Sequence, residues 1–184
     1  MEQNKIYQIC LILINQKLHA RAIAKILQTN HTAILRTLKE LVKKNVVDFT
    51  ESGRNKTYYI KNTIEARNLV IASEIFKSRE LLAKYPTLRK IIGSVQQNTE
   101  IKLAVIFGSY AKGTAKQDSD IDIYIETKKN SLKREIEAID SRASVKIGRF
   151  EENSPLGREI MDNHTIIKGA EKFYEDKSIF KEII

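Results

Sequence analysis

A single cysteine, Cys10, leaves no possibility of an intrachain disulfide, which excludes a small disulfide-stapled scaffold. Histidine is equally sparse: His19, His31 and His164 stand too far apart in sequence to suggest a zinc motif or a catalytic pattern. The longest apolar run, Ile9 to Ile14, is too short to cross a bilayer. Around Glu2 there is no basic start followed by a cleavable apolar segment, so no secretory signal is read and a cytoplasmic location is expected. Internal repeats and low-complexity tracts are absent too. What is present, 42% hydrophobic and 30% charged residues over 184 positions, suits one folded domain or two small ones, and two are expected. Cys10, set among Ile9, Leu11, Ile12 and Leu13, reads as a small core side chain rather than a reactive thiol.

Charge is distributed unevenly. Residues 1–62 hold 11 Lys or Arg against 4 Asp or Glu, a net +7, whereas residues 63–184 hold 21 against 19, a net +2. A basic first third beside a nearly balanced remainder points to a polyanion-binding module attached to a different one. Lys5–Asn15, Ala20–Leu27 and His31–Lys43 read as three helices, with Thr29-Asn30 as a break and an N-cap. In the third, Ile34, Leu35, Leu38, Leu41 and Val42 recur at helical spacing, leaving His31, Thr32, Arg36 and Thr37 outward with Lys39 and Lys43 nearby. Two strand-like runs, Val46–Thr50 and Thr57–Lys61, flank the basic turn Glu51-Ser52-Gly53-Arg54-Asn55-Lys56.

This succession of three helices and a hairpin resembles the winged helix-turn-helix of prokaryotic regulators. The resemblance implies that the third helix enters a DNA major groove while the wing meets the backbone. Thr32 and Arg36 would then approach base edges, and Lys39, Lys43, Arg54 and Lys56 would meet phosphates. A winged module used for protein contacts is the alternative. Next, residues 63–84 read as a long helix ended by Pro86, and a shorter helix is expected from Thr87 to Gln97. The apolar stripe of the long helix could dock the two domains or pair two subunits, and the resemblance to winged regulators implies a homodimer.

The most informative stretch lies further on. Leu103-Ala104-Val105-Ile106-Phe107 suits a buried strand ending at Gly108, and Gly108 and Gly113 bracket a tight turn. Backbone N–H groups converging in such a turn favour phosphate oxygens; Ser109 adds a hydroxyl and Lys112 a positive charge. In Ser119-Asp120-Ile121-Asp122-Ile123-Tyr124-Ile125 the period of two sends the carboxylates of Asp120 and Asp122 to one face and the isoleucines to the other. Carboxylates so close repel unless a cation sits between them, and Mg²⁺ with carboxylate and phosphate oxygens suits the place. The plainer reading is an ordinary turn followed by two solvated aspartates on an edge strand. Lys133–Asp140 is expected as a helix, Ser144–Phe150 as a strand, Ser154 and Pro155 as a helix start, and Thr165–Ile167 and Lys172–Tyr174 as weak strands. Asp176–Ile184 is expected to form a short docking helix.

Gly-Ser, three residues, Gly, then Ser-Asp-x-Asp resembles the signature of the DNA polymerase β-like nucleotidyltransferases, especially the minimal ones, from about Ile101 to Glu175. The resemblance implies transfer of a nucleoside monophosphate from an NTP to a hydroxyl. Gly108, Ser109, Lys112 and Ser119 would bind nucleotide, and Asp120 and Asp122 would be the catalytic ligands of Mg²⁺. Family members place a third carboxylate on a later strand, where this chain has Lys146. Either Glu151 or Glu152 substitutes after a register shift, or a catalytic cation is lost while nucleotide binding survives. The expected fold is therefore α+β: a winged helix-turn-helix over 1–62, a helical linker over 63–98 and a small mixed-sheet nucleotidyltransferase-type domain over 99–184. Two functions fit it. One is a nucleotidyltransferase with a DNA-binding arm, for which the resemblance suggests a partner protein such as a toxin as acceptor. The other is a DNA-binding regulator or antitoxin whose degenerate domain senses nucleotide.

Overall fold

The computed structural model describes residues 2–53, 55–175 and 180. They fall into two units, one running through Glu74 and including Tyr174 and Glu175, the other Ile75–Phe173. The first unit opens with α1 (Glu2–Leu13), β1 (Leu18–His19), α2 (Ala20–Ile26) and α3 (His31–Lys43), and continues into the hairpin of β2 (Val47–Ser52) and β3 (Asn55–Ile60). Helix α3 forms where apolar residues recur at three and four positions: Ile34, Leu38 and Leu41 are fully buried, and Asn30 caps it by accepting the Thr32 N–H at 2.7 Å. Thr37, expected outward, is instead buried, and its hydroxyl donates to the Ala33 carbonyl at 3.1 Å. Satisfying that hydroxyl within the helix lets it join the packed face.

Strands β2 and β3 pair antiparallel from Val47 opposite Ile60 to Ser52 opposite Asn55. Strand β1 adds to β3 through Leu18 opposite Tyr58 and His19 opposite Thr57, giving the order β1-β3-β2. Helix, short strand, two helices and closing hairpin make a winged helix-turn-helix. Two residues are too few to show an alternating pattern, so β1 has no counterpart in the sequence reading. Cys10 is fully buried with Ile9, Ile23 and Val47, and burial pushes its thiol pKa up to about 12. Arg54, and the docking helix expected over Asp176–Ile184 apart from Phe180, lie outside the described residues.

A long helix α4 (Ile64–Lys84) precedes Pro86, which opens a 3₁₀ turn (Pro86–Leu88) leading into α5 (Arg89–Gln97). The second unit then builds a four-stranded sheet from β4 (Ala104–Phe107), β5 (Ile121–Glu126), β6 (Ala143–Gly148) and β7 (His164–Lys168), in the order β6-β5-β4-β7. Strands β5 and β6 run parallel and the other pairs antiparallel. The parallel pair requires a crossover, supplied by α7 (Asn130–Glu137). Ile106, Ile123 and Val145 line one sheet face, against Ile91, Ile92, Val95, Leu132 and Ile136.

The opposite face carries an aromatic cluster. Tyr124 meets Phe150 at 5.7 Å between ring centroids, and Phe173 lies 5.5 Å from Phe150 and 4.9 Å from His164. Helix α8 (Pro155–Asp162) starts as expected, with Ser154 accepting the Gly157 N–H at 2.9 Å and Pro155 in its first turn. Lys172–Tyr174 belongs to helix α9 (Ala170–Glu175), not to a strand. A short apolar run reads the same as a strand or one turn of buried helix. The chain turns at Gly169, φ +78°, where an added Cβ would overlap the Lys102 carbonyl. Ile123 is fully buried in the centre of the sheet. Ile123→Ala is expected to remove about 2–5 kcal/mol of stability, seen as a lower urea midpoint with an unchanged slope.

Candidate functional site

Strand β4 ends at Phe107 and runs directly into α6 (Gly108–Lys112), a single helical turn. Gly108 has φ +66°, and a Cβ there would overlap Asp122 Oδ2. Only glycine satisfies both the backbone angle and the approach of the carboxylate. Gly113, φ +71°, closes the turn in the left-handed region, and its carbonyl accepts from Lys84 Nζ at 2.7 Å. Tyr110 is buried and packs edge-on against Tyr85 at 4.9 Å. Ser109 is half-buried and Lys112 exposed. Ser119 Oγ accepts the Lys116 N–H at 2.8 Å, folding the connection back on itself just before Asp120.

Arg142 fastens this connection. Its guanidinium donates to Asp140 Oδ1 at 3.0 Å and Oδ2 at 2.7 Å, to the Gln117 carbonyl at 2.8 Å and to the Tyr110 hydroxyl at 3.4 Å. The planar fork holds a carboxylate and a loop carbonyl together, which an ammonium could not reproduce with the same geometry. Hydrogen bonds from Arg142 hold the Asp140 carboxyl down at about 2. A depressed carboxyl contributes stability above its unfolded pKa and loses it as pH falls through the folded value. Wild-type protein should therefore lose stability between about pH 4 and 2, and Asp140→Asn should flatten that part of a pH series of urea midpoints.

Asp120, exposed, immediately precedes β5, and Asp122 is half-buried on it. Burial, then the charges of Asp120 and Glu159, push the Asp122 carboxyl above the usual range, while Lys146 pulls it partly back. Glu159 comes from α8, and nothing in the spacing of the acidic residues shows its approach: it depends on how a helix packs across the sheet. The β5–β6 register runs unbroken from Ile121 opposite Ala143 to Glu126 opposite Gly148. The register shift considered for Glu151 or Glu152 therefore does not occur. Both lie past the end of β6, in the turn where Ser154 Oγ donates to the Glu151 carbonyl at 2.7 Å. Lys146 stays in its row, opposite Tyr124.

An oxygen-only pair at Asp120 and Asp122, with like charge raising one of them, suits a hard divalent cation. Among the described residues no three His, Cys, Asp or Glu side chains are placed to hold a metal by themselves. A cation here would complete its shell with water or phosphate oxygens.

In the first unit, Thr32, Arg36, Lys39 and Lys43 are all exposed on α3. Lys56 on the wing pairs with Glu51 at 3.0 Å and sits 3.9 Å from the Phe49 ring centre. Between α3 and the wing lies a cavity of about 280 Å³ lined by His19, Arg21, His31, Asn55 and Lys56 among others. His31 and Lys56 were read from the sequence; His19 and Arg21 reach the same concavity only through the pairing of β1 with β3. Among the described residues no helix is long and apolar enough to cross a membrane.

Residues 89–173, within the second unit, match the family described as Polymerase beta, Nucleotidyltransferase. The chain is 49% identical over 39 residues to MJ1215 of Methanocaldococcus jannaschii, named as a candidate protein adenylyltransferase. That match spans 21% of this chain and 45% of the relative, less than half its length. Among solved structures, the adhesin competence repressor AdcR of Streptococcus pyogenes aligns with 48% of this chain and 65% of its own, at 21% identity and a TM-score of 0.38.

Proposed function

We propose that the second unit binds an NTP with Mg²⁺ and transfers its nucleoside monophosphate to a hydroxyl of a protein acceptor, while the winged unit binds DNA. The observation that carries the first part is the contact of Gly108 with the Asp122 carboxylate, which sets the turn beside the acidic pair. Asp120 and Asp122 would hold the cation, whose charge neutralises phosphate oxygens and polarises the phosphorus when bound. Ser109 and the backbone of the turn orient the triphosphate, and Lys84 and Arg142 keep the turn and its connection in place. The acceptor oxygen bonds to the α-phosphorus, the bond from that phosphorus to its β-bridging oxygen breaks, and pyrophosphate leaves as the hydroxyl proton passes to solvent. Positioning and electrostatics supply most of the rate. The protein acceptor rests on the name of the archaeal relative and on the small size of the domain.

A second reading, a DNA-binding regulator or antitoxin that senses nucleotide without turning it over, is favoured by Lys146 on the acidic face. Incubation with labelled ATP, GTP, CTP or UTP and Mg²⁺ in cell extract separates the two. Labelling of a protein band by wild type, and not by Asp120→Asn or Asp122→Asn, supports transfer. Metal-dependent NTP affinity without labelling supports sensing, and no affinity for any NTP removes both.

A further inference from the structure

Parallel pairing places Asp122 opposite Ser144 and Tyr124 opposite Lys146 with no break in register. Residues in one cross-strand row project to the same side of a sheet, and positions two apart along a strand share that side. Asp122, Ser144 and Lys146 therefore share one face. Lys146 is exposed on a flexible four-carbon stem, on the outermost strand, and its charge is felt at Asp122.

Phosphoryl transfer with two cations places them about 3.5–4 Å apart, each needing anionic oxygen ligands. On the β6 side of Asp122 the sheet offers a hydroxyl and an ammonium. A second divalent cation there would meet like charge where it needs a carboxylate, whereas a triphosphate oxygen would meet the point charge that lysine brings to phosphate. Resting on the nucleotide-binding reading above, we propose that this site takes a single divalent cation with its NTP, and that Lys146 supplies the second positive charge to the phosphate oxygens. Lys146 thus selects the metal complement of the site. Glu159 is the other charged side chain felt at Asp122 from a different element, and it serves as the control.

The test counts Mn²⁺ per bound nucleotide by electron paramagnetic resonance and equilibrium dialysis, on the full chain, with non-hydrolysable α,β-methylene analogues of the four NTPs. One Mn²⁺ is expected in wild type and in Lys146→Met, and two in Lys146→Asp. Lys146→Met should also bind the analogue about 10- to 100-fold more weakly, the effect of losing a charged hydrogen bond. Two Mn²⁺ in wild type overturn the proposal, and a drop from two to one in Glu159→Gln would give the third carboxylate to α8 instead. A single Mn²⁺ in Lys146→Asp, or unchanged affinity in Lys146→Met, also overturns it. Absence of analogue binding by every variant, wild type included, sinks the nucleotide-binding reading itself and is distinguishable from each of these.

Discussion

Asp122→Asn is expected to lower nucleotidyl labelling by about 10²- to 10³-fold, the usual cost of removing one group from the electrostatic stabilisation of a transferring centre, here through the cation it would hold. Asparagine keeps the shape that fits against Gly108 and removes the charge. Asp120 alone is exposed, so a cation held by it would compete with water at every other position. Loss of folding would not explain such a result. A carboxyl whose folded pKa lies above its unfolded value stabilises the protein only while protonated, and that contribution fades as pH rises through the folded pKa. Asp122 is such a group. The asparagine variant should therefore unfold at the same urea midpoint as wild type near neutral pH, or at a higher one. Equal labelling by the two proteins, measured with labelled NTP and Mg²⁺, would remove Asp122 from the reaction.

DNA affinity is expected to fall steeply with salt. Lys39 and Lys43 on α3, Lys56 on β3 and Arg54, two residues before Lys56 in sequence, would give about four phosphate contacts per chain. Counterion release then predicts a slope of about −3.6 for log affinity against log salt, or a loss of roughly 100-fold between 50 and 200 mM. Lys39→Ala with Lys43→Ala should reduce the slope by about 2 and weaken all sequences alike. Arg36→Ala should instead act on discrimination, costing about 1–3 kcal/mol at the base pair it reads and little elsewhere. Lys56 must exchange its pairing with Glu51 for a phosphate, so Glu51→Ala should tighten non-specific binding. A gel-shift series across salt concentrations reads all of these. No binding at the lowest salt would reduce the winged unit to a protein-contact module.

Legibility of the chain followed the strength of local pattern. Helix α3 runs over His31–Lys43, the range its apolar spacing and Asn30 cap dictate, and Ser154-Pro155 marks the start of α8 directly. The hairpin, the glycine turn and the alternation after Asp120 were equally plain, because each depends on residues close in sequence. Features set by tertiary packing were not. Strand β1 exists because β3 offers it an edge, α9 because the chain bends at Gly169 toward Phe150, and Thr37 is inward because α3 satisfies its hydroxyl. At the acidic site the proximity of Asp122 to Gly108 follows from strand and turn, whereas the approach of Glu159 and the fastening by Arg142 require knowledge of which elements pack together.

Among the described residues strand β6 has a partner strand on one side only, β5, which makes it the rim of its sheet, and its Val145 N–H donates to Glu137 Oε1 at 3.1 Å. Such rims invite a second chain to add a strand, and a lysine is a common deterrent. Lys146 stands on that rim, so its replacement by methionine also weakens a guard against self-association, and the variant should form higher-order species at concentrations where the parent stays dispersed.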